Sequence, residues 1–112
     1  MYKNIIASDL KGLIGKVNII DIRKNYLYNV GSIPSSKNIP KDFLLMNPEK
    51  YLNKDQKYYI YCSGGMESPK VCSELSKKGY KVVNVLGGYN DYLIGWKKSI
   101  SFFSFIFIKN LL

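Results

Sequence analysis

The sequence predicts an α/β domain: a parallel sheet with helices covering both faces. Two observations carry this reading. Short apolar runs alternate with helix-like stretches along most of the chain, without an internal repeat or a linker, which is the pattern of a sheet buried on both sides. The 112 residues, 46% of them hydrophobic, suffice for one core and are too few for two.

Taken in order, an opening strand is expected near residues 3–6 and a helix over about 8–14. "VNIID" (17–21) reads as the next strand, since a β-branched apolar run bounded by turn and cap chemistry favours extended backbone. Helices follow at about 24–29 and at 41–52, the latter broken at Asn47-Pro48 because proline disfavours helical geometry in the residue before it. "YYIYC" (58–62) is a strand, then comes a helix over 69–78 with well-marked ends. Ser68 suits the N-cap, Pro69 the first turn and Gly79 the C′ position. Within this helix Val71, Cys72 and Leu75 share one face while Lys70, Lys77 and Lys78 reach water. "KVVNVL" (81–86) is a further strand, and an aromatic helix spans about 89–96.

Composition excludes several chemistries. There is no histidine, so Cys-His and Ser-His nucleophile pairs are ruled out, together with zinc sites built on imidazole. Cys62 and Cys72 lack C-x-x-C spacing and cannot form a four-thiolate centre; neither a metal nor a disulfide framework is expected. Sixteen lysines and one arginine against eight acids give a net charge of +9, a general preference for anions. The lysines are scattered and no nucleic-acid motif is visible, so a solvated basic surface is expected in place of a nucleic-acid site. "MYKNIIASDL" holds no apolar core of signal-peptide length, and a reducing, cytoplasmic setting with free thiols is expected.

The chemistry concentrates in "YCSGGMES" (61–68). Cys62 closes a strand, so "CSGGMES" forms a strand-to-helix turn at the carboxyl edge of the sheet, where such sheets bind ligands. Gly64 and Gly65 allow the backbone to curl so that amides point inward, and the following helix start adds partial positive charge. A model cysteine ionising near pH 8.5 is only about 3% thiolate at pH 7. A loop that favours the charged form supplies a nucleophile without a histidine base. Cys72 reads as core, with a resolving thiol as the alternative.

This loop resembles the active-site loop of the rhodanese family, C-x-x-G-x-R-S in its small single-domain members, through Cys62, Gly65 and Ser68. "DIR" (21–23) is similar to the family's D-x-R after its second strand, and "GSIPSSKNIP" (31–40) to its G-H-I-P-G-A-x-N-I-P segment. "VLGG" (85–88) with the helix behind it resembles the closing G-G-x-x-x-W, with Tyr92 where Trp is usual. The likeness covers roughly residues 3–97. It implies a five-stranded parallel sheet in a rhodanese-like domain over 1–98, and a sulfurtransferase cycle without metal or organic cofactor. In that cycle Cys62 takes sulfane sulfur from a donor such as thiosulfate, or from a protein donor, as a persulfide and yields it to a thiol or cyanide. The amides of Ser63, Gly64, Gly65, Met66, Glu67 and Ser68 would hold the persulfide.

Three features depart from the pattern or go beyond it. Glu67 stands where the family commonly has arginine, which puts an anion beside a site for anions; either it points to solvent or thiosulfate is a poor substrate. The alternative function is therefore a non-catalytic rhodanese-like module that binds partners or senses redox state. The C-x5-R of the related tyrosine phosphatases is not met, because residue 68 is serine. Arg23, the sole arginine, suits a position that needs a planar fork, tying loops together through Asp21 in preference to contacting substrate directly. Finally, "SISFFSFIFIKNLL" (99–112) holds four of the five phenylalanines. The ten residues between Lys98 and Lys109 are too few to span a bilayer as a helix. Packing against the domain or against a second copy as a homodimer ranks first for this tail, superficial membrane contact second and a disordered extension third.

Overall fold

The alternation read from the sequence becomes a single sheet of five parallel strands. The computed structural model describes residues 1–95. In chain order its elements are β1 (Lys3–Ile6), α1 (Ala7–Lys11), β2 (Asn18–Asp21), α2 (Asn25–Val30), β3 (Lys37–Asn38), α3 (Lys41–Met46), α4 (Pro48–Tyr51), β4 (Lys57–Tyr61), α5 (Ser68–Lys77) and β5 (Lys81–Leu86), then α6, helical over residues 88–95. The strand order is β1-β5-β4-β2-β3, with every neighbouring pair parallel. The Phe-rich tail, and with it the homodimer and membrane expectations, lies outside the described residues.

Period-two alternation splits the core between the two faces. On one face Ile20, Ile60 and Val82 pack with Leu44, Val71, Cys72 and Leu75, the last three from α5. On the other, Ile19, Tyr59, Tyr61, Val83 and Val85 meet Leu10 of α1, with Tyr89 and Tyr92 of α6 against them. Burying an aliphatic side chain of this size contributes about 1.5–3 kcal/mol, so both layers are needed.

Three expectations require correction. The first helix is one short turn, because Gly12 and Gly15 interrupt it and residues 12–16 form turns; Leu13 and Ile14 still pack on the core from there. The fifth strand, β3, falls inside the stretch read only as a motif, and its two residues pair with Ile20 and Asp21. Ser68 is not the N-cap of α5: Glu67 takes that place in helical backbone, with no side-chain cap. The Ser68 hydroxyl is engaged elsewhere, as described below. The far end of α5 closes as expected, with the Gly79 N–H donating to the Ser76 carbonyl and the Tyr80 N–H to that of Leu75, which satisfies the last carbonyls of the helix.

Candidate active site

Cys62 sits one residue past β4, so its position is fixed by the sheet. Its carbonyl accepts from the Tyr89 N–H at 2.8 Å, and that of Ser63 accepts from the Asn90 N–H at 2.9 Å. The start of α6 therefore clamps the first turn of the loop from behind. That clamp needs glycine at residue 88: at φ +60° an added Cβ would lie 2.3 Å from the Cys62 carbonyl oxygen. Of the two glycines singled out in the loop, only Gly65 is required by its geometry. It has φ +87°, and a Cβ there would approach the Gly87 nitrogen to 2.8 Å; at Gly64 the nearest atom would be the Asn90 side chain at 3.6 Å, an ordinary contact.

The sulfur is 4% exposed as part of its residue yet is not sealed off. It lies among the residues lining a pocket of about 470 Å³. Ile22, Leu27 and Met66 make apolar surface there, while Lys24, Lys41 and Glu67 bring charge. From the protein side the Ser68 N–H, at the start of α5, donates to Cys62 Sγ at 3.3 Å, and the thiol donates to Ser68 Oγ at 3.5 Å. A main-chain N–H aimed at sulfur from a helix start favours negative charge there. Ser63, Gly64, Met66, Glu67 and Arg23 also line the pocket; Ser68 lies beneath the sulfur, and Gly65 packs against the Gly87 backbone. The cradle of amides expected from Ser63 to Ser68 thus reaches the resting thiol through the Ser68 N–H.

Glu67 does not confront the sulfur as a lone charge. Its carboxylate accepts from Lys41 Nζ at 2.9 Å, both side chains being roughly half exposed. Lys41 holds the carboxyl below the usual range through this hydrogen bond and its charge. The reciprocal contact raises Lys41. Lys41, unmarked in the sequence, thus offsets the anion that stands in the arginine position.

Arg23 lines the pocket, but its fork is committed inward. Nε and Nη2 donate to the buried Asp21 carboxylate and Nη2 also donates to the Gly31 carbonyl at 2.7 Å. Its guanidinium lies 4.4 Å from the Tyr89 ring centroid. A lysine could not reproduce this set of contacts. Arg23 joins the end of β2, the stretch before β3 and the start of α6, three segments that frame the loop.

Behind Ser68 lies a residue that the sequence reading left out. The Ser68 hydroxyl donates to Asn84 Oδ1 at 2.6 Å, and Asn84 Nδ2 donates to Asn4 Oδ1 at 3.0 Å. The one signal for it was an asparagine inside the otherwise apolar "KVVNVL". Cys72 is fully buried among aliphatic side chains of α5 and the sheet; burial, with Cys62 adding to it, pushes its thiol up to about 12. Both cysteines are free. Among the described residues no group of three His, Cys, Asp or Glu side chains could hold a metal ion, and no helix is long and apolar enough to cross a membrane.

Comparison with known proteins bears on the family and the fold. YtwF of Bacillus subtilis, whose name gives it as a provisional sulfurtransferase, is 39% identical over 72 residues, covering 62% of this chain and 67% of its own. A tRNA uridine(34) hydroxylase of Pelagibacter ubique is 38% identical over 87 residues, covering 74% of this chain but 29% of the hydroxylase, so the chain corresponds to under a third of that protein. The crystal structure of a rhodanese-related protein from Thermoplasma volcanium superposes with a TM-score of 0.76 at 33% identity, covering 84% of this chain and 93% of the other. The family model for the Rhodanese-like domain matches residues 6–94, and the chain belongs to that family.

Proposed function

We propose that this protein is a sulfurtransferase that carries sulfane sulfur as a persulfide on Cys62. The observation that supports this most is the placement of Cys62 Sγ at the edge of the pocket with the Ser68 N–H aimed at it. The Cys62 thiolate attacks the outer sulfur of a donor such as thiosulfate. A new S–S bond forms as the donor's own S–S bond breaks, and sulfite leaves with the electron pair. An acceptor thiolate, or cyanide, then attacks the outer sulfur of the persulfide and releases the Cys62 thiolate. Negative charge sits on sulfur at each stage, which is what the Ser68 N–H at the start of α5 stabilises.

Neither step requires oxidant, metal or organic cofactor, because the sulfane sulfur passes between nucleophiles at constant oxidation level: each S–S bond broken is replaced by a new S–S bond, or by the C–S bond of thiocyanate where cyanide is the acceptor. The pocket exceeds what thiosulfate alone would fill, leaving space for an organic or protein-borne thiol as acceptor. Two free thiols suit a reducing cytoplasm. The test is mass spectrometry after brief exposure to a sulfane donor. A gain of one sulfur atom on the wild type, lost in Cys62→Ala, is expected. No gain with thiosulfate or with an organic persulfide would overturn sulfur transfer and favour a non-catalytic binding or redox-sensing module.

A further inference from the structure

We infer that Asn84 is a positioning residue, acting through the Ser68 hydroxyl to set how readily Cys62 ionises. A serine hydroxyl has one proton to give. Here it is given to Asn84 Oδ1 at 2.6 Å, so Ser68 Oγ turns a lone pair toward Cys62 Sγ and accepts from the thiol at 3.5 Å. Asn84 cannot readily present its amide nitrogen instead, because Nδ2 is held by Asn4 Oδ1 at 3.0 Å. Ser68 is 0% and Asn84 1% exposed, so neither can turn to solvent for a substitute partner.

The arrangement suits a neutral thiol. When the sulfur ionises it ceases to donate, and Ser68 Oγ then faces an anion with a lone pair. The hydroxyl can swing to the sulfur only by leaving Asn84 Oδ1 buried without its donor, which is costly. Otherwise it stays, and among the contacts described above the thiolate keeps the Ser68 N–H alone. Either course sets Asn84 against the empty thiolate. In a persulfide the charge sits mainly on the outer sulfur, so the same arrangement would spare the loaded cysteine; that consequence alone rests on the sulfur-transfer reading.

Other titratable and charged groups surround Cys62. Beneath it is Cys72 of α5. Around the pocket are Arg23 with its partner Asp21, Lys24 and Tyr26 near the start of α2, and Lys41 and Asp42 of α3 with Glu67 of the loop. None donates to Ser68 Oγ or Asn84 among the hydrogen bonds described, and the substitutions below leave all of them in place.

The test is the pH midpoint of Cys62 alkylation by iodoacetamide in the full-length chain, followed by intact mass. Asn84→Ala removes the competing acceptor and frees the Ser68 hydroxyl for the thiolate, so the midpoint should fall by about half to one pH unit. Asn84→Asp keeps an acceptor for Ser68 and should not lower it. In a Ser68→Ala background, Asn84→Ala should move the midpoint no further. Should Asn84→Ala fold poorly, Asn4→Ala provides the same test from the exposed edge strand, since it releases the Asn84 amide to turn its nitrogen toward Ser68. The inference is overturned if Asn84→Ala or, where that fails to fold, Asn4→Ala leaves the midpoint unmoved, or if the shift persists without the Ser68 hydroxyl. These readouts concern the thiol and not sulfur loading, so they can fail while sulfur transfer stands, and the reverse.

Discussion

Cys62 and Cys72 occupy adjoining elements of the same core cluster and are almost equally hidden, at 4% and 0% exposure. Exposure therefore does not separate them; their neighbours do. Cys62 stands past a strand end, with a main-chain N–H on one side and a pocket beside it. Cys72 lies within α5, among aliphatic side chains that offer nothing to a charge, and its thiol is pushed up to about 12. The difference teaches where a buried cysteine is set up to act as a nucleophile: where the backbone changes direction beside it, because there N–H groups are free to point at it.

The strongest way to break this comparison is to exchange the roles of the two thiols. Cys62→Ala should lose all persulfide formation and transfer. Cys72→Ala should keep turnover within about threefold and lose about 1–2 kcal/mol of stability through the small cavity it leaves. Loss of loading in a folded Cys72→Ala variant, followed by mass spectrometry, would make Cys72 a working thiol and dissolve the contrast.

A second test addresses the backbone that distinguishes Cys62. Gly65→Ala forces an L-residue into φ +87° and drives a Cβ to 2.8 Å from backbone that cannot give way. It should cost about 2 kcal/mol or more in urea unfolding and lower sulfur transfer at least about tenfold. Gly64→Ala, with nothing closer than 3.6 Å, should change stability by less than about 1 kcal/mol. Equal effects would mean that the loop is not held in this conformation.

Legibility in the sequence followed the range of the interactions. β5, "KVVNVL", was readable to the residue, because a doubly covered strand declares itself by continuous β-branched apolar residues. The end of α5 was equally readable from Gly79, since the bonds there are local. β3 was hidden because two residues carry no period; its pairing with β2 comes from the tertiary frame. Ser68 misled for a related reason. A serine before proline has the local chemistry of a cap, but here a buried asparagine sixteen residues later outcompetes the helix for its hydroxyl. Lys41 was invisible for the same cause: Glu67 is twenty-six residues away, and no spacing rule links a lysine to an acid across that distance.

The buried environment of Cys72 can also be read through pH. Burial pushes its thiol from the ordinary cysteine range, about 8.5 to 9, up to about 12 in the folded protein. The folded state therefore holds a proton that the unfolded chain has released. Its contribution to stability is whole below about pH 9 and is lost progressively as pH rises toward 12. Tyr61, pushed up by burial, adds a decline of the same sign starting above its ordinary value of about 10. Urea unfolding of the wild type should weaken steadily above pH 9, and Cys72→Ala should flatten the first part of that slope. An unchanged slope would place the Cys72 thiol in contact with water.

The smallest effect expected concerns the rim of the pocket. Glu67 reverses the charge that the family usually places there, but Lys41 meets it at 2.9 Å in solvent, where ion pairs are weak and screened. Glu67→Arg should therefore raise kcat/KM for thiosulfate only about two- to fivefold, and Lys41→Ala, which uncovers the carboxylate, should lower it by a similar factor. Both changes should shrink as salt is added. An unchanged rate in Glu67→Arg would show that residue 67 does not govern the donor. A rise of a hundredfold or more would exceed what a screened surface charge supplies, and would mean that the side chain at 67 turns inward to touch the donor, extending the polar environment of Cys62 from the buried side of the loop to its open side.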